Sequence, residues 1–185
     1  MMKNIKKIII GAIFFFIAVR GVYAAITYFA SASVKYKVYH KEQFTLFDLA
    51  TVEDTELLPG ESFAVSPAIH NNSTEKAYGF ISIDFPALNG DKAYTYNINP
   101  GWVEVTHDNS HYVYAYAGNG NMTSIDYNGE TEAVMSEVTL SDMTMDNFKA
   151  IDDLSVEVTA YIIGSNVTAA DVYTAWSTIQ GYGAY

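Results

Sequence analysis

Cysteine is absent from the sequence and basic residues are scarce, because 10 Lys and Arg stand against 21 Asp and Glu for a net charge of −11. Without cysteine, neither a disulfide framework nor a thiolate metal site can form. A surface this acidic repels the phosphates of nucleic acids and of anionic lipids. The composition therefore excludes a disulfide-stabilised fold and disfavours nucleic acid as a partner. We expect no cofactor.

Apolar and aromatic residues are plentiful, at 50% and 15% of the chain. The sequence contains 15 Tyr and 10 Phe. A chain of 185 residues with this composition is expected to form about one domain with a sizeable core.

The first 24 residues have the pattern of a signal peptide. A lysine-rich segment at positions 3–7 precedes the 12-residue apolar run Ile8–Val19. That run suits a signal peptide but is shorter than the ~20 residues that span a membrane. Small residues before Ala25 predict cleavage between Ala24 and Ala25, with a second candidate site after Ala32. We therefore expect signal peptidase to release a secreted protein with no membrane span after processing.

The alternative is an uncleaved anchor that extends to Ala32. Cleavage after Ala24 removes four basic residues and no acidic residue. The secreted chain would then carry 6 basic and 21 acidic residues, a net charge of −15.

The nine-residue segment after the signal peptide is apolar, uncharged and capable of forming a strand. It is too short to be an independent element and too apolar for a solvated tail. It is either a strand donated to another subunit, a strand that folds back onto its own domain, or a linker. Its residues are Ala25, Ile26, Thr27, Tyr28, Phe29, Ala30, Ser31, Ala32 and Ser33.

Alternating apolar and polar residues predict β-strands through the remaining domain, residues 34–185. In Leu57–Pro86, two alternating runs flank the polar turn Asn71–Thr74, which predicts two paired strands, each with one face on the core and one toward water. Leu154–Ile162 is the most regular alternating strand. Strands separated by turns at short intervals predict a mostly all-β fold, a jelly-roll-like antiparallel β-sandwich.

One short helix is predicted near the C-terminus. Thr168–Asp171 has the form of a capping box with Thr168 as the N-cap. Gly181 supplies a stop. The apolar residues between them recur at helical spacing, and we expect them to cover an open end of the sandwich: Val172, Ala175, Trp176 and Ile179.

The strand His111–Ala117 places Tyr112, Tyr114 and Tyr116 on one face and small apolar residues on the other. Aromatic faces stack on sugars, so one interpretation is a surface that binds a polysaccharide. Packing against neighbouring strands is the commoner use of such a row.

Two of the four histidines, His107 and His111, have the spacing of a zinc-protease helix. Asp108 stands where the glutamate base would be, and Asp108–Ser110 is a turn former rather than part of a helix. A hairpin that brought both rings together would allow weak metal binding at the surface. We predict no catalytic residue and no metal site.

A series of short motifs extends over most of the chain in a fixed order: GVYA at 21–24, LPGE at 58–61, Asn71-Asn72, Trp102, HYVYAYA at 111–117, GET at 129–131 and VEVTAYIIGSNVTAADVYTAW at 156–176. The order of these motifs resembles the camelysin/TasA family of secreted matrix proteins of Gram-positive bacteria. The chain departs from that family in having AITYFASAS where a Phe-(Ser/Thr)-Asp element is usual, and Ile163-Gly164 where Gln is common.

The resemblance implies a jelly-roll-like domain, export through a dedicated signal peptidase, and assembly into extracellular fibres in which the N-terminal segment of one subunit inserts as a strand into the next. Strand addition would give Ala25–Ser33 backbone partners and side-chain pockets. We therefore expect a secreted structural subunit of a biofilm matrix or surface fibre, whose partners are its own copies and other matrix proteins. The alternatives are a monomeric sandwich that binds a polysaccharide and a camelysin-like metalloprotease.

Overall fold

The computed structural model describes residues 31–32, 34–38, 44–48, 55–56, 58–88, 91–142, 155–166 and 168–181. The predicted signal peptide, its cleavage site between Ala24 and Ala25, and the segment Ala25–Ala30 lie outside the described residues, as does Ser33.

The described residues form fifteen strands and one helix. The strands are β1 (Ser31–Ala32), β2 (Val34–Val38), β3 (Phe44–Asp48), β4 (Thr55–Glu56), β5 (Ser62–Ala64), β6 (Pro67–Asn71), β7 (Ala77–Asp84), β8 (Ala87–Leu88), β9 (Asp91–Lys92), β10 (Tyr94–Tyr96), β11 (Trp102–Asp108), β12 (His111–Gly118), β13 (Asn121–Met122), β14 (Glu137–Leu140) and β15 (Val156–Gly164). The helix, α1, is Val172–Gly181.

The largest sheet has six strands, ordered β11-β12-β7-β15-β2, with β13 paired to one end of β12. Its long strands β7, β12 and β15 pair antiparallel, whereas β2 lies parallel to β15 at the sheet edge. A three-stranded sheet, β10-β14-β5, and the pair β3-β6 form separate sheets. Two short pairs, β1-β4 and β8-β9, complete the described strands.

The main hydrophobic core lies between the six-stranded sheet and the smaller sheets. Ile81 and Ile83 of β7 and Val158 of β15 contribute from the large sheet, and they pack with Phe63 of β5 and Leu140 of β14. This arrangement confirms the predicted mostly-β, sandwich-like fold with one short C-terminal helix. The jelly-roll path stays a prediction, and the parallel β2 departs from a purely antiparallel arrangement.

A second core lies on the opposite face of the large sheet, where α1 packs. Phe80 of β7 and Ala115 of β12 contact this core together with Val172 and Ala175 of α1. The predicted helical stripe is therefore correct, but its predicted position is wrong, because α1 covers a face of the sheet rather than an open end of the sandwich. For the same reason β7 is buried on both faces, although its alternation predicted one face toward water.

The start of α1 also differs from the sequence-based prediction. Asp171 is the N-cap, since its Oδ1 accepts hydrogen bonds from the Thr174 backbone N–H at 2.8 Å and from the Thr174 hydroxyl at 2.9 Å. The predicted cap, Thr168, instead has its hydroxyl 3.1 Å from that of Thr178. Either residue type caps helices well, so composition alone did not distinguish them.

The predicted pairing within Leu57–Pro86 is wrong. The first run divides into β5, which pairs with β14, and β6, which pairs with β3. The second run is β7, which pairs with β12 and β15. The chain crosses from one sheet to another through the turn after Asn71 instead of reversing into a hairpin.

Candidate functional site

The tyrosines of β12 share one face of the strand, as the alternation predicted, and the structure places that face against the main core. Tyr114 is only 2% exposed, whereas Tyr112 and Tyr116 are half-buried. Tyr116 packs on Trp102 with ring centroids 5.4 Å apart. The ring of Tyr112 stacks on that of His107, with centroids 5.6 Å apart and planes 20° apart.

A further tyrosine, Tyr96 of β10, reaches this row from the opposite sheet. The hydroxyls of Tyr96 and Tyr114 lie 2.5 Å apart, within hydrogen-bonding distance. Phe85 stacks on Tyr96 with centroids 4.6 Å apart. Sequence reasoning missed Tyr96, because the short run Tyr94–Tyr96 gives no sign of which sheet its side chains will meet.

Burial controls the acidity of these phenols. It is the main cause that raises the pKa of Tyr114 to about 12, against a lowering effect of the hydrogen bond from Tyr96. Burial also raises the pKa of Tyr96, and the hydrogen bond to Tyr114 adds to that increase. Both groups therefore remain protonated well above neutral pH.

The polysaccharide hypothesis requires a correction at Tyr114. Its burial removes that ring from any surface a sugar could contact. Tyr112 and Tyr116 are the partly exposed members of the row, and both rings already pack on neighbouring aromatic groups. The row is mainly a packing surface that joins two sheets.

The two histidines with protease-like spacing lie on opposite faces of the β11–β12 hairpin. His107 pairs with Tyr112 across the hairpin and Asp108 pairs with His111, with Asn109 in the turn at φ 49°. Since successive residues of a strand point to opposite faces, His107 shares the face of Tyr112 and His111 does not. The interpretation that the hairpin could bring both rings together is therefore wrong.

Each of these histidines pairs with a carboxylate instead. His107 Nδ1 lies 2.8 Å from Glu104 Oε1, and His111 Nδ1 lies 2.6 Å from Asp84 Oδ1. Among the residues that the structure describes, no group of three or more His, Asp or Glu side chains could hold a metal ion. The His111–Asp84 pair connects the neighbouring strands β12 and β7, whereas His107 and Glu104 lie on the same strand, β11.

The last residues of the candidate donor segment have a partner within the same chain. Ser31 pairs with Glu56 and Ala32 with Thr55, in the short antiparallel pair β1-β4. The prediction that all of Ala25–Ser33 is free for donation therefore fails for Ser31 and Ala32. For Ala25–Ala30 and Ser33, which lie outside the described residues, the prediction stays open.

The edge strand β11 is a candidate interaction site that the sequence analysis did not identify. It pairs with β12 on one side, and no other described strand pairs with it. After the buried Trp102, five of its six residues are exposed, and Val103 is 37% exposed. A β-bulge interrupts the register between Glu104 and Thr106. The sequence does not show that β11 is an edge strand, because a strand can be recognised as an edge only when the order of strands in the sheet is known.

In the part of the chain described by the structure, no helix is both long enough and apolar enough to cross a membrane.

No protein-family model matches the chain, and a search of curated proteins finds no match. The likeness to the camelysin/TasA family therefore rests on the motifs quoted above.

Proposed function

We propose that the protein is a secreted structural subunit of an extracellular matrix or surface fibre and that it assembles by N-terminal strand donation. The observation that carries this proposal is the edge strand β11, which ends the largest sheet with no described strand on its outer side. A strand edge of this kind presents backbone N–H and C=O groups to a further strand.

The first part of β11 is best suited to accept a strand. Trp102 is 6% exposed, and its indole N–H donates to the Glu132 carbonyl oxygen at 2.9 Å, so this end of the strand is firmly held. The bulge after Glu104 and the charged side chain of Asp108 at the end of the strand disfavour pairing along the whole edge. An incoming strand would therefore be short, which suits a segment of about six residues.

The donor is the apolar segment Ala25–Ala30. Because Ser31 and Ala32 pair with β4, the segment would start from a fixed point on its own subunit. Its lack of charge matters for assembly, since it can approach a subunit with a net charge of −15 without like-charge repulsion from its own side chains.

Donation from one subunit to the next is a heterologous contact. Such contacts generate open filaments when the rotation between subunits does not close a ring. Copies of the same chain, and other matrix proteins with a compatible edge, are the partners of this assembly. Signal peptidase acts once, during export, and exposes the new N-terminus that donates.

The proposal is tested by electron microscopy of the purified secreted protein and of a variant that lacks residues 25–30. The deletion leaves every described strand in place, so the variant should keep the thermal midpoint of the parent and should form no filaments. Val103→Lys should also abolish filaments, because a charge on the accepting edge opposes strand addition. Leu58→Lys is the matched control, since Leu58 is 43% exposed, lies in a turn, and undergoes the same change in charge.

Filaments from the deletion variant would overturn strand donation. Unfolding of that variant would mean that residues 25–30 form an intramolecular strand. Filaments from Val103→Lys equal to those from Leu58→Lys would retain donation but exclude β11 as the acceptor.

A further inference from the structure

We propose that Tyr96 and Tyr114 form a site of oxidative modification, at which a one-electron oxidant joins the two rings into a dityrosine cross-link between the two sheets. The proposal is independent of fibre assembly. It rests on the contact between the two phenols and on their positions in the fold.

The two rings are already arranged with their hydroxyl ends together. The hydroxyl oxygens are 2.5 Å apart, the ring centroids 6.4 Å apart, and the planes are 89° apart. The carbons that couple in dityrosine are those next to each hydroxyl, so a contact between hydroxyls brings them near each other. Phe85 stacks on Tyr96, and Tyr112 lies nearly parallel to Tyr114 at 6°, which limits how far either ring can turn away.

The cross-link would connect strands that share no backbone pairing. Tyr96 lies on β10, which pairs with β14 in the small sheet. Tyr114 lies on β12, which pairs with β7 and β11 in the large sheet. A bond between the rings would therefore tie one layer of the sandwich to the other. In a chain with no cysteine, a disulfide cannot serve this purpose.

The reaction consumes two equivalents of a one-electron oxidant, such as the activated haem of a peroxidase. Each phenol gives one electron to the oxidant and loses one proton, which leaves a neutral tyrosyl radical. The two radicals form a carbon–carbon bond at the positions beside the hydroxyls. The hydrogens on those two carbons then move to the oxygens through solvent and restore both phenols. Two electrons and two protons are lost in total.

The surroundings of the pair provide routes for electrons and protons. Tyr114 is buried, but Tyr96 and Tyr112 are half-buried and both rings lie within 6.4 Å of its ring, so an electron can leave through either. Both phenols are protonated at neutral pH, so each loses its proton together with its electron. Glu104, which lies opposite Tyr114 in the register of β11 and β12, is the carboxylate to which we assign the role of proton acceptor.

The test oxidises the purified protein with photogenerated tris(bipyridine)ruthenium(III), with persulfate as the terminal electron acceptor. We expect dityrosine fluorescence from the monomer, and peptide mapping by mass spectrometry should find the peptides of Tyr96 and Tyr114 joined with the loss of two hydrogens. Closing this loop covalently should raise the thermal midpoint by on the order of 5 °C. Tyr96→Phe should remove the monomer fluorescence and the stabilisation.

Tyr127→Phe is the matched control, since Tyr127 is 64% exposed and lies outside the strands that carry the pair. Tyr127→Phe should form fewer dityrosine cross-links between molecules and should keep the cross-link within the monomer. Cross-links found solely between molecules, through Tyr127 or Tyr173, would overturn the proposal. So would a bond mapped to Tyr96 and Tyr112, or monomer fluorescence in Tyr96→Phe equal to that of the parent. The peptide map of the unsubstituted protein shows which two tyrosines are joined, so it tests the proposal even if Tyr96→Phe folds poorly.

Discussion

The buried side chain of Asn71 connects two separate segments of the chain through hydrogen bonds. Its side chain is fully buried, and its amide lies within 3.1 Å of the carbonyl oxygens of Glu75, Ile125 and Asp126. Its Oδ1 accepts from the N–H and hydroxyl of Ser73. Asn71 therefore fixes both the turn after β6 and the loop that crosses it, at the point where the chain changes sheets.

Replacing Asn71 should destabilise the fold strongly. Asn71→Ala would remove all the hydrogen bonds of a fully buried side chain, at a cost of roughly 2–4 kcal/mol in the free energy of unfolding, although each of the three carbonyl oxygens keeps one other donor. Urea unfolding measures this change. Asn97→Ala, at an exposed position, is the control and should lie within about 0.5 kcal/mol of the parent. A similar effect for both variants would mean that the bonds of Asn71 contribute little.

Tyr114 makes stability sensitive to alkaline pH. Its pKa is about 12 when folded and about 10 in the unfolded chain, so the unfolded state loses its proton first. The free energy of unfolding should therefore be unaffected below pH 10 and should fall between about pH 10 and 12, by at most about 1.4 kcal/mol per pH unit for this group. Unfolding curves across that range measure the slope, and Tyr114→Phe should reduce it. If Tyr114→Phe left the slope unchanged, groups other than Tyr114 would be responsible for the loss of stability at alkaline pH.

At the scale of elements, the alternation of apolar and polar residues predicted correctly which side chains share a face of a strand, but it did not predict which strands pair with each other. The β11–β12 hairpin could be predicted because its two-residue turn, with Asn109 at φ 49°, joins strands adjacent in sequence. β5, β6 and β7 were wrongly paired because a period of two reports which side chains share a face and carries no information on the neighbouring strand. Their partners β14, β3 and β15 are set by the packing of the whole core.

The same limit applies to the candidate site, where the sequence pattern predicts shared faces but not contacts between sheets. The strand pattern placed Tyr112, Tyr114 and Tyr116 together correctly. It did not predict that Tyr114 would be buried, because the group that covers it, Tyr96, belongs to another sheet. Nor did it predict the exposed edge of β11, since exposure of a strand depends on its place in the sheet order.

The cap of α1 provides a test at this scale. Asp171 Oδ1 accepts two hydrogen bonds from Thr174, whose backbone N–H is the main cause that lowers the pKa of Asp171. Asp171→Ala should lower the thermal midpoint by roughly 2–4 °C, as expected for loss of an N-cap. Thr168→Ala, at the cap predicted from sequence, should have a smaller effect. The reverse order would restore Thr168 as the cap.

The lowered pKa of Asp171 also fixes the direction of the pH effect. The carboxylate form is favoured in the folded state, so its stabilising contribution is present above the ordinary aspartate pKa of 3.8 and is lost as the pH falls through the lower pKa of the folded state. The difference between Asp171→Ala and the parent should therefore disappear in acid.

At the scale of the whole molecule, charge opposes the assembly that we propose. Each secreted subunit would carry a net charge of −15, and subunits in a filament must approach one another closely. Hydrophobic and backbone contacts of the donated strand have to overcome this repulsion. In the proposed assembly, the charge would therefore act as a barrier that keeps subunits apart at low ionic strength.

Assembly should consequently accelerate with salt. Raising the ionic strength from about 0.01 M to about 0.15 M shortens the screening length from ~30 Å to ~8 Å, so the initial rate of filament growth, followed by light scattering and checked by electron microscopy, should rise several-fold. Sucrose at matched osmolality should not reproduce the effect, and circular dichroism should show the subunit folded at both salt concentrations. The variant that lacks residues 25–30 carries the same net charge as the parent, because Ala25–Ala30 contains no charged residue. It should stay monomeric at either ionic strength, since screening removes repulsion but cannot supply the missing strand. Growth that is equally fast at low and high salt would show that subunit repulsion does not control assembly.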